Sequence, residues 1–486
     1  MRHIYIFLLA ILVGLNSCQK TKNEVIVKGK FIGDIPEEVK YSIPINGICY
    51  GFFQASERVD SLGHFELRLN IERQSFIKIF TKGNSCNLII EPHKSYNVTI
   101  ELNQNRSQYR FECHNSKVQE EYQNLFSPEH PQFEAMKVWD SPISVAKNKI
   151  DFLNNQEIST FEKLLSDGEI STEIFNLIKF DRALFYNSVL EQVALYKFVN
   201  AKSENREANT DSIHVLWNEA VQSIPLNSVD LLKSKWAFYH IQNYLLYQEY
   251  MADGFNWDIR PKTRREGLFH TYLINIAKKY LNGEILEFYT SSYILSTAWQ
   301  NKYEKELITL FEEFKTDFPK SNYTSYLAPY IEKIIDFHQK AELKFGSEIQ
   351  FTDNYENIKL LEKCLQQFKG QKVYVDIWAT WCGPCKKEFA FNKELKNLLK
   401  SKNIEMLYIS RDSNEDEIQW KNMIKYYNLT GHHIRAGKEL KEDLKNILGN
   451  FGIPHYLLID EKGNILSKNA KRPSQLKELE KQLSGK

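Results

Sequence analysis

Three regimes of hydrophobic patterning succeed one another along the chain. From about residue 24 to 102, apolar and polar positions alternate. Val25, Val27 and Phe31 share one face, Phe65, Leu67, Leu69 and Ile71 alternate after a turn at 61–63, and Tyr96, Val98, Ile100 and Leu102 alternate after Pro92. A period of two in short runs broken by turns predicts strands, and several such strands a small β-sandwich. From about 115 to 345 the period lengthens to four, as in Ile174 with Ile178 and Phe185 with Val189 and Val193. That spacing predicts helices. Ser159 and Glu162 have the spacing of a capping box, and Gly168 suits the helix stop. A further helix, 303–318, ends before Pro319, and the next runs from Ser321 towards Phe337. Trp139, Trp217, Trp236, Trp257 and Trp299 are expected to pack between helices. No fixed-period repeat runs through this region, so it is read as a helical spacer or docking platform.

From about residue 346, short apolar runs alternate with helical ones. Strands are predicted at 373–379, 404–410 and 433–435, and a hairpin at 456–460 and 465–467. Helices are predicted from Cys382 through Phe389 and Leu395 to Leu399, at 416–427 with Ile418 and Met423 on the apolar side, at 439–448 and at 474–483. This alternation describes a mixed α/β sheet. The expected architecture is multidomain: residues 1–17 a removable leader, 18–114 a β-sandwich, 115–345 helical and 346–486 α/β.

Length agrees with that division, because 486 residues exceed what one hydrophobic core sustains. Charged residues at 26% and hydrophobic ones at 42% are ordinary for globular protein, and the net charge of +1 gives no electrostatic reason to expect nucleic acid as partner. At the N-terminus Arg2 and His3 precede an apolar run, 4–15, which is too short for a stable bilayer span and suits a signal-peptide core.

The chemistry concentrates in one stretch. A β-branched and aromatic run, 373–379, leads through Trp381 into Cys382, Gly383, Pro384 and Cys385. The two cysteines therefore fall where a strand turns into a helix, with Cys382 near the helix N-terminus. Unpaired N–H groups and the helix dipole there favour a thiolate. A cysteine so placed titrates near ~7 instead of ~8.5. Pro384 suits the first helical turn, where a missing N–H costs nothing. The alternative reading of a CxxC pair is half a zinc site, but the other candidates, His432, His433, His455 and Cys364, have no regular ligand spacing. The remaining cysteines, Cys49, Cys86, Cys113 and Cys364, are read as buried thiols or as unassigned disulfide partners.

Val375 to Cys385 (Val-Asp-Ile-Trp-Ala-Thr-Trp-Cys-Gly-Pro-Cys) and Gly452-Ile-Pro454, followed by strand and hairpin, resemble the thioredoxin fold. The stretch from Trp378 to Cys385 and the long segment before Pro454 are similar to the TlpA/ResA branch of membrane-tethered thiol–disulfide oxidoreductases. The resemblance covers about 140 of the 486 residues. It implies that Cys382 attacks, that Cys385 resolves, and that together they form the redox-active disulfide. Pro454 is then a cis-proline against the pair, and Asp376 a buried acid that takes the resolving thiol's proton. Trp381, Gly383, Pro384, Ile453 and His455 would contact substrate, His455 standing where minimal thioredoxins carry threonine. Leu15-Asn-Ser-Cys18 resembles the bacterial lipoprotein box, in which Cys18 becomes the lipid anchor; the alternative is an ordinary secretory signal. The stretch from Lys28 to His93 looks like the β module that precedes thioredoxin-like domains in bacterial lipoproteins.

The expected function is a periplasm-facing oxidoreductase tethered to the cell envelope, which reduces protein disulfides without metal or cofactor. Its expected partners are disulfide-containing envelope proteins and a membrane electron donor that recharges the pair. Two alternatives stay open. One is a non-catalytic lipoprotein that binds a ligand and uses the fold as scaffold. The other is a Cu(I) metallochaperone with His455 as third ligand.

Overall fold

A computed structural model describes residues 23–81, 85–102, 107–125, 128, 130–203, 210–228, 230–253 and 259–484. The leader with Cys18, and Trp257, lie outside the described residues. The chain divides into two compact units, 1–256 and 257–486.

The first unit opens with eight described strands: β1 (Glu24–Gly33), β2 (Glu38–Ile45), β3 (Ile48–Arg58), β4 (His64–Asn70), β5 (Ser75–Phe80), β6 (Ser85–Ile90), β7 (Ser95–Leu102) and β8 (Ser107–Glu112). They form two four-stranded sheets, ordered β4-β1-β7-β8 and β3-β2-β5-β6. The alternating side chains of the first sheet, Val27, Leu67, Val98 and Ile100, meet Ile77, Ile79, Leu88 and Ile90 of the second in one core. This is the sandwich that the period-two pattern predicts. Gly29 pairs with Phe65 across β1 and β4, and the Phe65 ring lies where a Cβ on residue 29 would sit. Close ring approach, and not a turn, requires this glycine.

Helices follow: α1 (Ser116–Asn124), α2 (Gln132–Ala135), α3 (Ile143–Ser166), α4 (Thr172–Ser203), α5 (Thr210–Ser223) and α6 (Ala237–Asp253). Ile158, Phe161 and Leu164 of α3 with Ile174 and Ile178 of α4 share a core with Phe76 and Ile89 of the second sheet. That sheet is thus covered on both faces, which explains its unbroken apolar runs. Its free edge, β6, is closed by side chains. Gln119 accepts from the Ile89 N–H at 3.0 Å and donates to the Ile89 carbonyl at 2.8 Å, while Gln123, one turn on, accepts from the Asn87 N–H and donates to the Ser85 carbonyl. Two glutamines replace a missing strand and blunt the edge. Gln119→Ala should cost about 1–3 kcal/mol, since it orphans a buried backbone donor and acceptor. A lowered urea midpoint for the unit checks it.

Two helical expectations are corrected. Ser159 lies inside α3, with its hydroxyl on the Gln156 carbonyl, because the buried stripe carries the helix straight through it; Gly168, at φ +70°, does end the helix. Trp217 and Trp236 are buried, but Trp299 is exposed, as the last residue of its helix, 283–299.

The second unit begins with α7 (Ile259–Arg265), α8 (Phe269–Tyr280), α9 (Gly283–Trp299), α10 (Glu306–Asp317) and α11 (Thr324–Ala341). Next come β9 (Ile349–Phe351), α12 (Leu361–Leu365), β10 (Lys372–Trp378), α13 (Gly383–Glu388), α14 (Asn392–Ser401) and β11 (Ile404–Ser410). The unit closes with α15 (Glu417–Tyr426), β12 (Gly431–Arg435), α16 (Lys438–Leu448), β13 (His455–Ile459), β14 (Ile465–Ser467) and α17 (Leu476–Leu483). The strands form one mixed sheet ordered β14-β13-β10-β11-β12-β9, with β10 central, parallel to β11 and antiparallel to β13. Val373, Val375 and Ile377 point to a core shared with α12 and α16. The alternate residues Tyr374, Asp376 and Trp378 therefore occupy the other face.

Two sequence expectations differ here as well. The helix after Cys382 is interrupted by a 3-10 turn at Phe389–Phe391, where the Phe389 ring packs edge-on to Trp378 at 5.1 Å. Ile418 is 76% exposed. The buried stripe of α15 is Trp420, Met423 and Ile424, and a position five residues from Met423 is turned well off that stripe.

Candidate redox site

The sharp turn at the end of β10 is made by the Cys382 N–H bonding the Ala379 carbonyl at 3.1 Å. Cys382 then caps α13: its Sγ accepts from the Cys385 N–H at 3.1 Å. The two sulfurs are joined in a disulfide with the Cα atoms 5.3 Å apart. Although bonded, Cys382 is only 3% exposed, and Cys385 is fully buried. Pro384 sits in the first turn as expected. Gly383 and Pro384 are exposed, and Trp381 is 60% exposed, so these three form the outer surface over the pair.

Asp376 is 1% exposed on the face of β10 beneath this helix. It pairs in register with Tyr408 and Tyr456, and its Oδ1 has no hydrogen-bond partner. Burial pushes its carboxyl well above the ordinary range, and the charge of Glu388 adds to the effect. Glu388, one turn after Cys385, is itself held by the Ser474 N–H and hydroxyl at 2.9 and 3.0 Å.

The Ile453–Pro454 bond is cis. His455 pairs with Ile377, so the next rung sets Pro454 opposite Trp378, at the cysteine end of the sheet. Ile453 is half-buried beside it. His455 bonds the Lys468 carbonyl through Nε2 at 2.7 Å, and burial lowers its pKa. Its ring is thus neutral at pH 7, with Nε2 carrying the proton. Among the described residues no group of three His, Cys, Asp or Glu could hold a metal ion, and Cys49, Cys86, Cys113 and Cys364 are free thiols.

Sequence reading missed Asp412, Thr380, Lys386 and Glu388. Asp412 receives the Thr380 N–H at 3.0 Å and its hydroxyl at 2.7 Å. Lys386, 6% exposed, donates to the Thr380 carbonyl at 3.0 Å. No spacing rule links residue 412 to 380; only the β10–β11 pairing brings them together. Lys386 and Glu388 follow directly on Cys385, but a Lys-Lys-Glu run carries no local sign that two of its members are buried.

The Redoxin family model matches residues 357–483. The thiol–disulfide oxidoreductase ResA of Bacillus thuringiensis is 31% identical over 122 residues, which are 25% of this chain and 68% of the relative. ResA of Bacillus subtilis is 33% identical over 92 residues, 19% of this chain and 49% of that one. A solution structure of a Bacteroides vulgatus protein, titled as a thiol–disulfide oxidoreductase, is 36% identical and aligns with 25% of this chain and 78% of its own, at a TM-score of 0.22. The Redoxin match and the ResA relatives define a thiol–disulfide oxidoreductase on a thioredoxin-like domain. Within that class the chain belongs to the ResA family.

Proposed function

We propose that the chain reduces protein disulfides through Cys382 and Cys385 while tethered to the cell envelope by lipid on Cys18. The observation that carries the exchange chemistry is the Cys382–Cys385 disulfide itself, with Cys382 Sγ receiving the Cys385 N–H. In the reduced pair that N–H faces a sulfur, and a hydrogen bond to the charged form favours the thiolate.

The Cys382 thiolate attacks one sulfur of a substrate disulfide, forms a mixed disulfide and expels the other sulfur as a thiolate, which takes a proton from water. Cys385 then gives its proton to Asp376 in its ionised form, which burial makes a strong base, and attacks the Cys382 sulfur. The second substrate sulfur leaves as a thiolate and takes a proton from water, and the pair, having given two electrons to the substrate disulfide, is left as the Cys382–Cys385 disulfide. Trp381, Gly383, Pro384, Ile453, Pro454 and His455 would hold the substrate strand. A membrane electron donor would return two electrons to the pair.

By element type the proposed domain limits are 18–114, 115–345 and 346–486, after a leader of residues 1–17. The Gly-Pro dipeptide supports a reducing poise, like that of thioredoxin at about −270 mV. Equilibration with glutathione should give a potential below about −180 mV, the level of protein disulfide isomerase; a higher value would turn the assignment to oxidase or isomerase. Cys18→Ala should release the protein from membranes.

A further inference from the structure

We propose that Lys386 is a positioning residue for the redox turn, and that the α9–α10 loop it grips belongs to the oxidoreductase centre. This rests on the proposed exchange at Cys382. The Lys386 ammonium has three donors and meets three backbone carbonyls: Asn301 at 2.9 Å, Thr380 at 3.0 Å and Gln300 at 3.3 Å. One of these lies two residues before Cys382, and the other two lie in the loop after α9. A single buried cation thus joins the turn that presents the nucleophile to the helices that precede the thioredoxin-like domain.

The loop is held along its whole length. The next carbonyl, of Lys302, accepts from Gln419 at 2.8 Å, and that of Tyr303 from His338 at 2.8 Å. Four consecutive carbonyls are therefore claimed by side chains. Asn301 and Tyr303 are left-handed, with φ of 52° and 58°, a conformation that persists for tyrosine only where the surroundings hold it. The Tyr303 hydroxyl bonds that of Tyr427, and Tyr427 packs on Phe389, which packs on Trp378 at the end of β10. Loop and redox motif are thus coupled by an aromatic row as well as by the ammonium.

At the other end of the tether, Thr380 has no polar group left free. Its N–H and hydroxyl are on Asp412, and its carbonyl is on Lys386. Fixing the Thr380 carbonyl fixes the peptide plane that leads into Trp381 and Cys382. Burial, with Lys302 nearby, lowers the Lys386 pKa to about 8, so the cation is present at neutral pH.

The test compares Lys386→Met, which removes charge and donors, with Lys386→Gln, which keeps donors without charge. Gln419→Ala loosens the loop without touching the redox helix. Each is made in full-length protein, alone and with Cys385→Ser. Two measurements are read: hydrogen exchange of amides 299–305, and the pH profile of Cys382 alkylation by iodoacetamide, mapped by peptide mass. Lys386→Met should speed exchange in the loop, move the alkylation midpoint to higher pH and slow alkylation at pH 7 about tenfold, the scale of modest misplacement of a reacting group. Gln419→Ala should shift both readouts in the same direction by less. A freed loop with an alkylation profile within twofold of the parent's would make Lys386 a structural tether only and overturn the proposal, as would an unchanged loop. If Lys386→Met does not fold, Gln419→Ala decides by the same criteria. A parent that alkylates normally yet reduces no disulfide would sink the exchange reading and leave the positioning role to be judged by alkylation alone.

Discussion

Cys382→Ser should lower the rate of insulin reduction with dithiothreitol by a factor of roughly a thousand or more, the scale seen when a nucleophile is removed. The hydroxyl of a serine at the same cap does not ionise at neutral pH, whatever hydrogen bonds it receives. Cys385→Ser should fail differently. Its Cys382 still attacks, but nothing expels the substrate, so disulfide-linked partners accumulate and release on adding reductant. That asymmetry follows from position: Cys382 lies next to the exposed Trp381, Gly383 and Pro384, while Cys385 is fully enclosed. Equal trapping by both variants would contradict the assignment of attacker and resolver. The same traps, made in native envelopes, would name the substrate.

The second large effect is expected at Asp376. Its folded pKa lies well above the ordinary 3.8 because of burial and the Glu388 charge. The native chain therefore holds a proton that the unfolded chain has released, and native stability falls as pH rises from about the unfolded value through the folded one. Asp376→Ala should accordingly be more stable than the parent at pH 8, by about 1–3 kcal/mol, the cost of one unpaired buried polar group. The gap should close towards pH 4. Chemical denaturation across that range reads the sign directly, and an acid-side gain would contradict it. Asp376→Asn cannot take the proton of Cys385, so resolution of a mixed disulfide should slow about a hundredfold, the low end for general base catalysis. The first attack by Cys382 should be little changed. A stability gain with slower turnover is the mark of a group retained for chemistry at the expense of the fold.

Much of this site was legible because its determinants are local. The strand run, the Pro384 turn and the Cys-x-x-Cys spacing lie within sixteen residues, and a cap needs only its own first turn. Asp376 could be suspected from apolar flanks on both sides, and Pro454 from the resemblance alone. The misreadings share a cause. Ser159 has the local form of a cap, and the stripe of Ile158, Phe161 and Leu164 against α4 overrode it. Ile418 is apolar, but the face of α15 that meets the sheet was chosen by Trp420 and Ile424.

The sequence by itself determined a Cys-x-x-Cys pair where a strand turns into a helix, and a β-rich, a helical and an α/β stretch in that order. Side-chain periodicity and turn chemistry act over a few residues, so they can be read from a single chain. Tertiary structure alone decided what surrounds the thiol. Asp412 reaches Thr380 because β10 and β11 pair in parallel, and Lys386 reaches Gln300 and Asn301 across 85 or more positions of chain. Contacts of that separation are set by which faces bury together, and backbone carbonyls carry no side-chain identity for a motif to display.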